Sequence, residues 1–362
     1  MESVAKTNSF ISFLKLIRFG NLLIIAATQY LFEYFILPGE MFHPNRALAQ
    51  YYETTGTFAP FSYGMQLSHF DFFLLSLSTV MIAAAGYIIN DYFDVKTDRI
   101  NRPDSIVIDR GIKRRVAMAA HTVINFTGIG LGIYVGHKAG NFQLGMIHVI
   151  VAGLLWFYST NFKKMFFVGN VVVAFFTALV PLIVAIYELH LLTLNYNSAY
   201  VMNPFFKDFV DNPTYLGMEI EAINFKIPFY SACCLGVFAF LTNLMREIVK
   251  DMEDFVGDME TGGKTVPITL GIKATKNIVH VINILTICSL GLISYLLWEK
   301  YDDQLSVIYL STLVCLPLII FSFLLKNSQN PKKFKKTGMF LKFVMLAGIL
   351  YSFLVYYNFT KI

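Results

Sequence analysis

The feature that most constrains this chain is a series of apolar runs, each about 18 to 25 residues long, the length at which a helix crosses a bilayer. They fall at 11–37, 70–89, 116–135, 144–158, 166–187, 227–244, 278–298, 305–325 and 339–357, the fourth being the shortest. Over such lengths in lipid a helix satisfies every backbone hydrogen bond internally. The expectation is therefore an all-α integral membrane protein, with about nine transmembrane helices in one polytopic domain, 1–362. Composition agrees with this. Hydrophobic residues make up 56% of the chain and charged residues 15%, and the mean hydropathy is +0.57. A soluble domain carries about 25% charged residues.

Charge then orients the helices. With the N-terminus inside, 23 of the 29 Lys and Arg fall on the same side as that terminus, leaving Arg46, Lys138, Lys207, Lys226, Lys300 and Lys361 opposite. This asymmetry is the positive-inside pattern. It predicts a multi-pass protein of the cell's inner (plasma) membrane, with a cytoplasmic N-terminus. The first apolar run has no small-residue cleavage site after it, so it is expected to stay as the first span rather than leave as a signal peptide. Cys233, Cys234, Cys288 and Cys315 all lie inside apolar runs without metal-ligand spacing and read as small buried hydrophobes. The basic run 332–336 reads as a solvated loop facing lipid headgroups. Loops 38–69 and 189–226, with Pro44, Pro60, Pro204 and Pro213 as breakers, read as connections, with a lid or interfacial segment as the alternative for the second. Membrane lipid surrounds such a chain, and no nucleic-acid partner is expected.

Against this apolar background two acidic triplets stand out. Asp91, Asp94 and Asp98 follow one run; Asp251, Asp254 and Asp258 follow another. Both triplets have the spacing i, i+3, i+7, which on a helix or its frayed end places three carboxylates on one face. Three like charges on one face repel unless a cation neutralises them. The charge count puts both triplets at the cytoplasmic edge. They divide the chain into two halves of similar plan, roughly 1–160 and 161–362. Oxygen ligands without His or Cys suit Mg²⁺, or Mn²⁺, better than zinc. Mg²⁺ prefers one or two carboxylates together with substrate phosphate oxygens and water. Neither triplet has the Gly and closing Glu of a calcium loop. Arg102, Lys163, Lys164, Arg246, Lys250 and Lys264 lie near enough in the chain to neutralise phosphate oxygens. Asn90 and Asn243, amides near the ends of apolar helices, are expected to touch substrate or to bond between helices. His121, His148 and His280 are expected to pack or bond between helices. A cation-coupled transporter is the rival reading, although transporters place such carboxylates near the midplane rather than at helix ends.

The stretches Asn90-Asp91-Tyr92-Phe93-Asp94 through Asp98, with Asn101-Arg102-Pro103, and Arg246-Glu247-Ile248-Val249-Lys250-Asp251 through Asp258, with Gly263-Lys264-Thr265-Val266-Pro267, resemble the two signature motifs of the UbiA superfamily of intramembrane prenyltransferases. Arg18-Phe19-Gly20-Asn21 is similar to that family's Arg-Pro-x-Asn, with Phe where the family has Pro. Tyr158-Ser159 with Lys163-Lys164 resembles its turn after the fourth helix. Asp104-Ser105-Ile106 departs from the basic residue and second Pro that relatives carry. The resemblance implies nine transmembrane helices around a central cavity capped by the two aspartate motifs. It implies that the six aspartates hold Mg²⁺, with Arg18, Asn21, Asn90, Arg102, Lys163, Lys164, Asn243, Arg246, Lys250 and Lys264 around the substrates. The implied reaction moves an isoprenoid from a polyprenyl diphosphate to an acceptor, with diphosphate leaving. Tyr87, Tyr92, Phe93, Tyr158 and Phe240 are candidates to steady an allylic cation, each worth up to about 2 kcal/mol when desolvated. The second motif looks most like the branch that prenylates geranylgeranylglyceryl phosphate. An aromatic acceptor of quinone synthesis stands beside it as an alternative.

Overall fold

A computed structural model describes residues 9–41, 56, 64–202, 207, 211 and 226–361. Among the described residues nine helices are long and apolar enough to cross a membrane. We number the helices α1 (Ser9–Leu16), α2 (Phe19–Met41), α3 (His69–Asn101), α4 (Arg114–Lys138), α5 (Phe142–Thr160), α6 (Val168–Met202), α7 (Lys226–Glu253), α8 (Phe255–Glu260), α9 (Val266–Tyr301), α10 (Gln304–Lys326) and α11 (Pro331–Lys361). No strand is present among these residues. The chain is a multi-pass membrane protein.

The expected spans appear, with corrections at their ends. The first run is not one helix from residue 11. Arg18 adopts a left-handed conformation, φ 51° and ψ 52°, and separates α1 from α2. That break leaves α1 free to pack Leu16, Phe13 and Ile17 against Ile108 and Ile112 of the α3–α4 connection. The second and sixth runs continue as helix past their apolar ends to Asn101 and Glu253. A hydropathy run marks only where lipid contact ends; the hydrogen-bonded ladder goes on into the polar edge. The seventh span, α9, starts 12 residues before its apolar run, opened by Pro267 at its first turn and kinked at Gly271, where φ is +81°. Residues 189–202, read as loop, continue α6. Pro44, Pro60, Pro204 and Pro213 lie outside the described residues. The basic run 332–336 is not loop but the first turns of α11, with Phe334 buried beneath it.

Two large apolar cores hold the bundle. One gathers Phe32, Leu37, Phe72, Leu75, Val184 and Tyr187, toward the end away from the aspartates. The other gathers Met245, Ile248, Val249, Val314, Phe321 and Leu341 between α7, α9, α10 and α11. At the far end, Glu188 is fully buried and accepts the backbone N–H of Gln66 at 2.6 Å and of Leu67 at 2.9 Å, fastening the segment before α3 to α6. The four cysteines are free, and Cys234 and Cys288 are exposed on the outer surface of the helices rather than buried. In lipid that position is as apolar as a core.

Candidate active site

Helix periodicity builds the cavity wall. On α3 the residues Thr79, Ile82, Ala83, Gly86, Tyr87 and Asn90 recur every three or four positions and so share one face. The same spacing on α5, α6 and α7 brings in Leu155 and Tyr158, Val173 and Thr177, and Asn243, Arg246 and Lys250. Faces from α2 and α11 complete a cavity of about 250 Å³. Its lining is graded. Arg18, Asn21, Asn90, Asn243, Arg246 and Lys250 stand at the level of the acidic motifs. Ile24, Ile82, Leu155, Phe176 and Val180 line the wall below, and His148 stands deeper still. From Asn90 to Thr79 the α3 face runs roughly 16 Å at the helical rise. A polar mouth over an apolar shaft accepts an amphiphile with an anionic head.

The two acidic motifs meet over that mouth. Asp91, Asp94 and Asp98 ride on the unbroken last turns of α3, on one face as the spacing requires. The second triplet departs from the expectation of one helix. The chain breaks at Asp254, φ −91° and ψ 6°, so Asp251 lies in the last turn of α7 while Asp258 belongs to the short α8. Asn101 joins the two motifs. Its side-chain amide donates to the Asp254 carbonyl at 3.0 Å, and its oxygen accepts the Gly257 N–H at 2.8 Å. Gly257 has to be glycine for this approach, because a Cβ there would stand 2.6 Å from the Asn101 amide. The hydroxyls of Thr97 and Thr261 add a bond at 3.2 Å.

Cations sit between the acids. Arg18 donates to Asp91 at 2.7 Å and lies 5.0 Å over the Tyr87 ring. Its left-handed backbone is thus a strain held at the site. Lys163 pairs with Asp94, whose other donor is the Asn90 amide at 2.7 Å. Arg102 spans Asp254 at 2.6 Å and Glu253 at 3.3 Å, tying the end of α3 to the end of α7. Burial alone would lower the pKa of Lys163, but Asp94 outweighs it and holds the ammonium well above its usual range. Arg102 is raised in the same way, burial opposing and Asp254 prevailing. Asp258 is pushed up to about 6, by burial first and by Asp254 next.

No three carboxylates converge on one point among the described residues. The donor set nevertheless fits a hard divalent cation that takes one or two carboxylates and completes its shell with phosphate oxygens. It is all oxygen, and the carboxylates of Asp98 and Asp258 receive no side-chain hydrogen bond or ion pair among the described residues. The buried Asn90 Oδ1 beside Asp94 has no partner either.

Most of the residues picked out by sequence come together here, and some do not. Asn243 lines the cavity and donates to Thr177 at 2.8 Å, so it serves both an interhelical bond and the wall. Tyr87 and Tyr158 line the cavity. Tyr92 and Phe93 do not: Tyr92 lies under Arg114, and Phe93 packs edge-on against Trp156 on the outside. Phe240 packs in the second core. Lys164 and Lys264 are exposed and outside the cavity lining, joined through the Lys264 N–H to the Lys164 carbonyl at 2.9 Å. His121 bonds the Ala85 carbonyl at 2.9 Å and His280 faces Ser322, both between helices, whereas His148 lines the cavity. Sequence reasoning missed Asn170, which donates to Asp251 at 2.7 Å, and the cavity roles of Glu247 and Lys342. Asn170 did carry a signal, a lone amide at the start of an apolar run. Lys342 lies far in sequence from everything it meets here.

The chain resembles known proteins in sequence and in fold. The digeranylgeranylglyceryl phosphate synthase of Pyrococcus horikoshii is 30% identical over 287 residues, 78% of this chain and 83% of that protein. A solved structure of a UbiA homologue from Archaeoglobus fulgidus bound to DMAPP and Mg²⁺ shares the fold, with a TM-score of 0.53 at 14% identity over 96% of this chain and 99% of that one. A structure concerning digeranylgeranylglyceryl phosphate synthase has a TM-score of 0.54 at 21% identity, covering 96% and 99%. The UbiA prenyltransferase family profile matches residues 54–344, and the chain belongs to that family.

Proposed function

We propose that this prenyltransferase moves a prenyl group from a polyprenyl diphosphate to the free hydroxyl of a prenylated glycerol phosphate, with Mg²⁺ as the metal. One observation carries the reading: two acidic motifs are clamped together over a cavity that is charged at its mouth and apolar below. The names of the relatives support a phosphorylated glycerolipid rather than an aromatic acceptor. The Lys and Arg distribution supports placing the motifs on the cytoplasmic side.

Asp91, Asp94, Asp98, Asp251, Asp254 and Asp258 would hold Mg²⁺. The metal supplies Lewis-acid stabilisation of the charge that develops on the leaving diphosphate. The chain's own residues do the rest. Arg18, Arg102 and Lys163, already fixed at the mouth by their acid partners, lie where phosphate oxygens would sit and share their charge. The apolar wall below aligns the prenyl tail and excludes water, which would otherwise capture the cation. Tyr87 and Tyr158 face the cavity just under the mouth, where an allylic carbon attached to a diphosphate would lie. An aromatic face turned to that carbon, Tyr158 or the side of Tyr87 away from Arg18, would stabilise positive charge there by up to about 2 kcal/mol. As the donor C–O bond breaks, the diphosphate keeps its electron pair. The acceptor oxygen then forms the new ether bond, and its proton passes to the released diphosphate.

The test is an acceptor panel. Purified protein with Mg²⁺ and labelled prenyl diphosphate is offered prenylated glycerol phosphates, the same lipids without phosphate, and aromatic acids. Label in the phosphorylated glycerolipid is the expected result. Transfer to an aromatic acid and none to the glycerolipid would overturn the proposal.

A further inference from the structure

A second cleft, of about 570 Å³, opens beside the central cavity between α1, the start of α2, the end of α7 and the start of α11. It shares Arg18, Asn21, Arg246, Lys250 and Lys342 with the cavity, so the two are continuous. Its charge is lopsided. Arg18, Arg102, Arg246 and Lys250 each already pair with an acid. Lys15, Lys335 and Lys342 also line it and enter no ion pair among the described residues; Lys342 only reaches Asn21 Oδ1 at 3.3 Å. The cleft's single acid, Glu253, is taken by Arg102.

The shape is as particular as the charge. Lys335 and Lys342 are seven residues apart on α11, two turns along the same face. Gly338 lies between them on that face, and a Cβ there would meet only Val249 at 3.7 Å, so the floor between the two lysines is low. Ile11, Phe19 and Met339, each close to half exposed, form an apolar rim beside the cations. A site with three lysines outside any ion pair among the described residues, against an apolar rim open to the surroundings, suits a phosphate monoester carried on an alkyl chain.

We propose that Lys15, Lys335 and Lys342 form the subsite for the acceptor's phosphate, with Arg246 and Lys250 between it and the donor. The inference rests on the proposed phosphorylated glycerolipid acceptor. Two polyanions, the donor diphosphate and the acceptor phosphate, must enter one active site, and like charges repel unless each has its own cations. The acidic motifs with their metal serve the first; this cleft serves the second. The acceptor's tail leaves across Ile11, Phe19 and Met339, and its hydroxyl points past Asn21 into the cavity.

The experiment measures KM for each substrate separately in neutral detergent, for the intact protein and for Lys15→Gln, Lys335→Gln, Lys342→Gln and the triple variant. Each single change should raise the acceptor KM roughly tenfold, the scale of one charge-assisted hydrogen bond, while for Lys15→Gln and Lys335→Gln, which lie outside the central cavity, the donor KM stays within about twofold. The penalty should vanish when the acceptor is the same lipid without its phosphate. Equal loss for both acceptors, or a rise in donor KM alone, would overturn the subsite. Adding an anionic bilayer lipid distinguishes the other source of the same chemistry. If the variants alter only the response to that lipid and leave acceptor KM untouched, the cleft binds bulk headgroups and the proposal fails. Direct binding of a phosphorylated mono-alkyl glycerol to the intact protein and the triple variant is read without turnover. Weaker binding by the triple variant supports the subsite even if the acceptor panel refutes the wider function. Equal binding refutes the subsite alone.

Discussion

Replacing Gly257 by Ala tests how the two acidic motifs are held together. Gly257 lies in α8 with ordinary helical backbone, so by propensity alone alanine would stabilise that helix by about 1 kcal/mol. The geometry predicts the opposite. The added methyl would stand 2.6 Å from both polar atoms of the Asn101 amide and must push it away. Two hydrogen bonds go with it, to the Asp254 carbonyl and from the Gly257 N–H. At about 1 kcal/mol each, their loss more than cancels the gain in helix propensity. Stability therefore changes little, by about 1 kcal/mol, but the second motif is displaced relative to the first. A misplacement of about 1 Å at a reacting centre lowers turnover by about 100-fold. The assay is kcat for prenyl transfer, together with thermal unfolding in detergent, for Gly257→Ala, Asn101→Ala and the double variant. Asn101→Ala removes the same two bonds without a clash and should be the milder change in kcat, though without the gain in helix propensity it should lower stability by about 2 kcal/mol. In the double variant the methyl has nothing to meet, so activity should return to the Asn101→Ala value, a coupling of neighbours rather than a sum. Penalties that simply multiply would refute the clamp.

Three further outcomes follow from other parts of the molecule. Glu188→Gln leaves only one acceptor oxygen for two N–H groups, the half-buried one of Gln66 and the buried one of Leu67. It should lower stability by about 1 to 3 kcal/mol, read as a drop in Tm, with kcat per folded molecule unchanged; an unaltered Tm would contradict the role given to Glu188. Gly132→Ala places a Cβ 2.3 Å from the His148 ring and should drive that ring into the shaft. Turnover should then fall more for long prenyl diphosphates than for short ones, and an equal fall for all lengths would show that His148 does not limit depth. Asn170→Leu removes the donor to Asp251 while leaving the apolar surface around it, and should raise the Mg²⁺ concentration needed for half-maximal activity roughly tenfold, as loss of an outer-shell partner does. A larger loss of kcat with unchanged Mg²⁺ dependence would place Asn170 elsewhere in the mechanism.

Much of this architecture is legible in the chain because lipid imposes so few solutions. Apolar runs had to be helices, and helical spacing put Asp91, Asp94 and Asp98 on one face, where α3 holds them. What escaped the sequence is of two kinds. Helix ends were misjudged because hydropathy reports the lipid boundary and not the hydrogen-bond ladder, so the turns carrying both acidic motifs seemed to be edge or loop. The break at Arg18 left no trace, since nothing in Arg-Phe-Gly-Asn announces a left-handed residue. The second kind is long-range pairing. Asn170 meets Asp251, and Lys342 meets Asn21 across nearly the whole chain, by packing that no local pattern encodes. Lys164 and Lys264 show the converse. Both lie outside the cavity lining, and they hold two connections together through the Lys264 N–H on the Lys164 carbonyl and the Lys164 ammonium on the Thr261 carbonyl.

The most direct test of the central claim is Mg²⁺-dependent prenyl transfer by the purified protein, comparing the intact chain with Asp94→Ala and Asp254→Ala. These residues stand one on each motif, paired with Lys163 and Arg102 respectively. The account predicts label transferred from a prenyl diphosphate to a phosphorylated glycerolipid, abolished by chelation, restored by Mg²⁺, and reduced at least about 100-fold by either substitution while both variants remain folded. Transfer that survives chelation, or that is indifferent to the loss of either aspartate, would contradict it.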